Sequence, residues 1–125
     1  MLATWQAAWY VVILLNYHKE SPLSAFHDAI QEIVAMHDRK AHDYGIEGDP
    51  LANVRAAEHF GITPWLGAIL RMNDKIARIK SFCTRGNLLN ESLEDSLLDI
   101  AVYAVIALVL YRESEAKARH DNPQG

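Results

Sequence analysis

The feature that most constrains the fold is a series of helix start signals and glycine stops around apolar residues at helical spacing. Ser21–Pro22 and Thr63–Pro64 each place a capping residue before a proline, an arrangement typical of helix starts. Gly45, Gly61 and Gly86 are expected to end the runs between them. The sequence therefore predicts an all-α chain, a helical bundle of about four to five helices.

Apolar residues recur at intervals of three or four positions within these runs. In the last run, the residues expected to face the core are Leu97, Ala101, Ala104, Leu108 and Tyr111. We expect this helix to begin near residue 90 or 92 and to end near residue 115. Residues 10–15 are β-branched enough for a strand, but a single strand cannot form a sheet.

Length and composition indicate one globular domain. The chain has 125 residues, of which 50% are hydrophobic and 22% are charged. We expect residues 1–20 to form an apolar extension, residues 21–115 a core and residues 116–125 a polar tail. The net charge of -4 argues against nucleic-acid binding, which needs a basic face. Cys83 is the single cysteine, so an internal disulfide is excluded and a cytoplasmic location is expected.

Two short apolar segments need an explanation. They read AAWYVVILL (residues 7–15) and IAVYAVIALVLY (residues 100–111), and each is shorter than the roughly 20 residues of a membrane span. The first also lacks a preceding Lys or Arg and a cleavage site, so it is a poor signal peptide. We therefore expect no membrane contact. Burial against another subunit is the better explanation, and it predicts a homo-oligomer, a dimer or a tetramer.

Three acidic residues follow one another at intervals of four near the start of the last helix. Glu91, Asp95 and Asp99 would share one stripe, and Asp99 stands within an apolar run. A carboxylate in such a run is costly unless it is paired or binds a cation, so Asp99 is a candidate functional residue. For Glu91 and Asp95 the alternative is a capping box with Ser92 or a favourable interaction with the helix dipole.

The preceding helix carries the opposite charge. Arg71, Lys75 and Arg78 lie on one predicted face, where three cations could bind a polyphosphate. The alternative is a solvated face on which Asp74 and Arg78 form an ordinary ion pair. At the end of an earlier helix, Lys40 is favoured by the helix dipole whereas the following acid is not. That acid, Asp43, is therefore a candidate metal or substrate ligand.

Three His-Asp dipeptides raise a second enzymatic possibility. His27–Asp28, His37–Asp38 and His42–Asp43 invite comparison with HD-type metal phosphohydrolases. Adjacent residues on a helix point about 100° apart, so each pair alone is weak support. The sequence contains neither a phosphate-binding GxxxxGK[ST] motif nor a zinc-binding HExxH motif.

Four segments occur in one order along the chain. They are KAHDYG (40–45), DPLANVRAAEHFGITPW (49–65), RMNDKIAR (71–78) and ESLEDSLLDIAVYA (91–104). Together they resemble the phage and bacterial nucleotide-modification-associated family, which is similar to the MazG-type all-α nucleoside triphosphate pyrophosphatases. The resemblance covers roughly residues 23–113. It implies an oligomeric enzyme that uses Mg²⁺ or Mn²⁺ to split a nucleoside triphosphate into the monophosphate and pyrophosphate.

The MazG-type signature is ExxE on one helix and ExxD on the next, and Asp99 matches its final Asp. Three residues earlier stands Ser96, so Asp95 or Glu91 must supply the other acid of that pair. No ExxE stands on an earlier helix, and either Asp74 or Glu32 with Asp43 would have to serve. The resemblance thus implies metal binding by Glu91, Asp95, Asp99, Asp74 and Asp43. Catalytic roles are expected for Asp99, Asp95 and Lys75. The positions of the cations independently predict substrate binding by Lys40, Arg71, Lys75 and Arg78, with Tyr44 close to them.

The leading hypothesis is therefore a metal-dependent nucleotide pyrophosphohydrolase that acts in the cytoplasm of a phage-infected bacterium. Family analogy favours a purine substrate, with dGTP or GTP as the specific expectation. The enzymatic alternative is HD-type phosphohydrolysis of nucleotides. The non-enzymatic alternative is a helical interaction module whose apolar segments bind a partner.

Overall fold

The computed structural model describes residues 2–20, 22–44, 49, 51–88 and 91–124, with side chains from 5–15, 22–43, 49, 51–88 and 91–124. Every regular element among them is helical, which confirms the all-α prediction. The elements are α1 (Leu2–Glu20), α2 (Pro22–Tyr44), α3 (Ala52–Arg55), a 3₁₀ turn (Ala56–Phe60), α4 (Pro64–Arg85) and α5 (Leu93–Asp121). The chain divides into two compact units, Met1–Glu32 and Ile33–Gly125, and α2 continues from one into the other.

The first unit contains α1 and the beginning of α2. Residues 10–15, weighed above as a strand, are helical. All side chains from 5 to 15 are exposed, although most of them are apolar. No helix in the part of the chain that the structure describes is long and apolar enough to cross a membrane.

The second unit is built around the antiparallel pair of α4 and α5. At one end, the rings of Trp65 and Tyr111 meet edge to face with their centroids 5.8 Å apart. At the other end, the Arg78 side chain bonds that of Glu91, just before α5. Between these ends lies a small apolar core, whose buried members are Met36, Val54, Ala68, Val102, Ile106, Ala107 and Leu110.

Several helix boundaries agree with the sequence signals. Gly61 and Gly86 end their helices in left-handed conformations, with φ of 73° and 81°, which glycine adopts without steric cost. Thr63 precedes α4, and Ser92 caps α5. The signals at Ser21 and Gly45 lie outside the described residues.

The predicted inward face of α5 was wrong. Leu97, Leu108 and Tyr111 are about half exposed, whereas Ser96 and Asp99 point inward with the apolar core residues of this helix. The periodicity gave the wrong face because α5 itself carries apolar residues on most of its sides, so no single apolar stripe can be distinguished. The helix also continues six residues beyond the expected end at residue 115, to Asp121. No glycine or proline interrupts it before Pro123.

Candidate functional site

Asp99 is the centre of the candidate site. Its side chain is 1% exposed, and only Ser96, at 0%, is more deeply buried among the polar residues described. The ammonium of Lys40, on α2, hydrogen-bonds Asp99 Oδ1, and Lys75 Nζ, on α4, lies 2.8 Å from Asp99 Oδ2. Two helices thus each place one lysine on a carboxylate supplied by a third. The sequence inference that Asp99 must be paired or cation-bound is confirmed.

The pairing leaves hydrogen-bonding capacity unused. Although Lys75 is close to Asp99 Oδ2, the contact is not aligned as a hydrogen bond, and this oxygen has no hydrogen-bond partner among the residues described. One turn earlier on the same helix, Ser96 Oγ is equally buried and also lacks a partner in the described chain. Buried polar atoms are seldom left without a hydrogen bond, so Asp99 Oδ2, which borders a cavity, keeps capacity for one beside its ion pair with Lys75.

Lys75 links Asp99 to a second carboxylate. Its Nζ lies 3.4 Å from Glu91 Oε1, and Arg78 bonds the other oxygen of Glu91. Glu91 precedes α5 and is not on its expected helical stripe, yet it reaches the same ammonium as Asp99 does. The predicted cationic residues of α4 therefore meet the predicted acidic residues.

Burial and ion pairing act in opposite directions on the titration of this cluster. Burial by itself raises the pKa of Asp99, but the hydrogen bond from Lys40 and the positive charges of Lys40 and Lys75 outweigh it, and the net pKa is lowered. For Lys75, burial lowers the pKa, and Asp99 and Glu91 outweigh that effect and raise it. Both groups are therefore charged at neutral pH, and Asp99 is available as an anionic ligand.

A cavity of about 450 Å³ opens beside Asp99, and we call it the Asp99 cavity. Its apolar wall includes Leu51, Val102 and Ile106. Its polar wall consists of His37, Lys40, Asn53, Arg71, Lys75, Asp99 and Tyr103. A concave, partly apolar space with a few convergent polar groups is typical of a small-molecule site.

Other predicted site residues lie elsewhere. Asp95 forms the capping box with Ser92, accepting from the Ser92 hydroxyl at 2.7 Å, and this contact lowers its pKa. Asp74 is exposed and lines a different cavity. Asp43 is exposed, 3.4 Å from the ring of His42. The side chain of Tyr44 lies outside the described residues.

The two His-Asp dipeptides of the second unit do not share one centre. His37 lines the Asp99 cavity, whereas His42 is exposed. In the first unit, the His27 ring contacts the backbone oxygen of Leu23 at 2.7 Å. Each pair thus occupies a separate environment along α2.

Sequence reasoning missed three residues of this region. Tyr103 follows Asp99 by four positions, so helical spacing could have placed it on the same face. Ser96 was considered only as a departure from the ExxD motif. It stands three residues before Asp99, so helical spacing also places it on the same face. Asn53, in the four-residue α3, offered no pattern from which its place in the cavity could be predicted.

The carboxylates of Asp99 and Glu91 suit a divalent cation, provided that a substrate supplies further oxygen ligands. Mg²⁺ and Mn²⁺ favour oxygen ligands, and Mg²⁺ is often bound by one or two carboxylates with substrate phosphates completing the shell. Here two carboxylates reach one ammonium, and Asp99 Oδ2 has unused capacity. Among the residues described, no three His, Cys, Asp or Glu side chains are grouped so that they could hold a metal without a substrate.

Comparisons of the chain with protein-family models, with curated proteins and with solved structures gave no match. The resemblance to MazG-type pyrophosphatases therefore stays an expectation drawn from the sequence.

Proposed function

We propose that the Asp99 cavity binds the phosphates of a nucleoside triphosphate and that the protein hydrolyses it, with Mg²⁺ or Mn²⁺, to the monophosphate and pyrophosphate. The observation that carries the proposal is a buried carboxylate, Asp99, contacted by two lysines beside a cavity and left with one oxygen lacking a hydrogen bond. A buried ionised cluster of this kind beside a cavity is typical of functional sites.

The charge of the cavity suits a polyanion. Lys40, Arg71 and Lys75 line it, and Asp99 is the acidic residue of its wall among those described. The cations thus exceed the carboxylate in number, and burial of Lys75 strengthens its interaction with an incoming phosphate oxygen. Lys40 and Arg71 are more exposed, so they are placed to bind phosphates near the opening.

The carboxylates account for the metal requirement. Asp99 and Glu91 would hold the cation where Lys75 now contacts both, with phosphate oxygens as further ligands. The cation would neutralise phosphate charge, polarise the phosphorus and activate a water molecule. Lys75 would then be free to move to a phosphate oxygen.

The reaction needs no side-chain nucleophile. Water forms a new bond to the α-phosphorus, the bond from that phosphorus to the bridging oxygen breaks, and pyrophosphate leaves with the bonding electrons. The proton that the water loses passes to solvent or to the departing pyrophosphate. Lys40, Arg71 and Lys75 hold the phosphates in place, so their contribution is positional and electrostatic.

The test is a pyrophosphate-release assay on a panel of ribo- and deoxynucleoside triphosphates with Mn²⁺. We expect release that depends on the metal, and a loss of about 100-fold or more in rate for Asp99→Asn. The resemblance favours purine substrates, which the panel examines directly. Asp38→Asn removes an exposed carboxylate of α2 and is the matched control.

Folding must be separated from chemistry in this test. Circular dichroism and thermal melting of Asp99→Asn establish that the variant is folded before its rate is interpreted. An unchanged rate in folded Asp99→Asn would contradict the site assignment. Release of triphosphate or of single phosphate in place of pyrophosphate would favour HD-type hydrolysis.

We also propose that the protein is a homo-oligomer. On α5, Leu97, Val105 and Leu108 are exposed, and apolar side chains of α1 are exposed as well. Apolar surface of this kind is typical of subunit contacts. Light scattering coupled to size exclusion should give the mass of a dimer or a tetramer, and Leu97→Glu with Leu108→Glu should lower it. A monomer that is monodisperse at micromolar concentration would contradict the proposal.

A further inference from the structure

A second cavity adjoins the Asp99 cavity within the same unit. It has a volume of about 380 Å³, and we call it the Phe60 cavity. Asn53, Val54 and Arg71 line both cavities and form their common wall. The remainder of the Phe60 cavity combines apolar side chains with two polar groups of α4, Asn73 and Asp74.

A close approach between α4 and the 3₁₀ turn shapes the Phe60 cavity. Gly67 lies in α4, and a Cβ atom there would be 2.8 Å from Ala57 Cβ, closer than real Cβ contacts. The absent side chain therefore allows residues 56–60 to lie directly against the helix. Phe60, the last residue of the turn, is thereby held at the edge of the cavity.

The lining of the Phe60 cavity is suited to a flat heterocycle. Phe60 is 84% exposed and Leu70 is half exposed, so both present apolar surface that no residue of the described chain covers. An exposed aromatic ring beside polar groups is the arrangement on which bases stack. The volume of the cavity lies at the lower end of the range for small-molecule sites, about 300–1,000 Å³.

We propose that the Phe60 cavity is the nucleobase subsite for the triphosphate proposed above, an inference that rests on that function. Phosphates occupy the Asp99 cavity, the base stacks on Phe60, and Arg71 lies between them because it lines both spaces. The structure thus gives Asp74 a role other than metal binding: it contacts the edge of the base.

The chemistry of Asp74 defines a class of base. An ionised carboxylate only accepts hydrogen bonds, so it favours a base that presents an exocyclic amino group. Adenine, guanine and cytosine carry such a group. Uracil and thymine instead present two carbonyl oxygens on either side of one N–H, and a carbonyl oxygen repels the carboxylate. The subsite therefore selects amino-bearing bases over uracil and thymine.

The test measures binding without hydrolysis. Calorimetry with Mg²⁺ compares inorganic triphosphate with α,β-methylene analogues of ATP and UTP, in which the bond to be split is replaced. We expect Phe60→Ala to weaken the ATP analogue about tenfold or more and to leave inorganic triphosphate unchanged. Phe26→Ala removes an exposed phenylalanine of the other unit and is the matched control.

A second variant examines base selection. Asp74→Asn should reduce the preference for the ATP analogue over the UTP analogue, whereas Asp38→Asn should preserve it. Equal binding of inorganic triphosphate and both analogues, or an equal loss for all three in Phe60→Ala, would overturn the subsite while the polyphosphate site stands. If the unaltered protein binds none of the three, the proposed function fails and the subsite fails with it.

Discussion

Two clusters of ion pairs lie along α5, and they differ in burial. Near the beginning of the helix, Asp99 is inaccessible to solvent and contacts Lys40 and Lys75. Toward its end, Glu113 is half exposed and forms a two-pronged pair with Arg55, with distances of 2.5 and 3.1 Å.

The exposed cluster is complete in itself. Arg55 also donates its Nε–H to Asp49 at 3.0 Å, so the guanidinium joins the segment before α3 to the far end of α5. These contacts raise the pKa of Arg55 and lower that of Glu113. The buried cluster, in contrast, leaves Asp99 Oδ2 without a hydrogen bond. Unused capacity next to a cavity, and not the number of charges, distinguishes a candidate site from a structural ion pair.

The largest expected effect comes from removing one lysine of the buried cluster. Lys75→Met leaves the charge of Asp99 buried with only Lys40 beside it, and we expect a loss of about 3 kcal/mol in the free energy of unfolding. Urea denaturation measures it. Lys80→Met removes an exposed lysine of the same helix and should change stability little. A similar loss in both variants would mean that the buried ion pairs of Lys75 contribute no more to stability than an exposed lysine does.

The stability of the protein at acid pH should depend on the same cluster, because Asp99 loses its charge there. The pKa of its carboxyl is lower in the folded protein than the ordinary 3.8, so the unfolded chain binds the proton more readily. This contribution is present above pH 3.8 and is lost as the pH falls through the folded-state pKa.

We therefore expect the acid side of the stability profile to be shallower in Asp99→Asn than in the unaltered protein. Denaturant melts between pH 2 and pH 7 measure the slope, and Asp38→Asn controls for the change in net charge. Parallel acid slopes in the unaltered protein and in Asp99→Asn would contradict the assignment of a lowered pKa.

The sequence was sufficient to predict the all-α class but not which face of α5 is buried. Proline and glycine positions act locally, so they located several helix ends. The inner face of α5 depends on Lys40 and Lys75, which meet Asp99 from other helices. With those pairings, Ser96 and Asp99 are buried and Leu97 is exposed. Apolar periodicity alone predicts the reverse.

The candidate site was also predictable only in part. A lone acid in an apolar run identified Asp99, and helical spacing grouped the cations of α4. The roles of the remaining acids depended on local geometry: Asp95 caps its own helix, and Asp74 lines the second cavity. Sequence spacing cannot distinguish an acid that caps a helix from one that binds a ligand, because either role can place an acid in the first turn of a helix.

The smallest expected effect concerns the exposed cluster. Both Arg55 and Glu113 are more than a third exposed, so water and salt weaken their attraction. Arg55→Gln and Glu113→Gln, measured singly and together in a double-mutant cycle, should give a coupling energy below about 1 kcal/mol that decreases further in 1 M salt. The coupling between Lys75 and Asp99, measured with Lys75→Met and Asp99→Asn, should be larger and less sensitive to salt, since burial limits screening. Equal coupling energies with equal salt dependence would show that burial does not separate the two clusters. The contrast that assigns Asp99 to a site would then have no energetic basis.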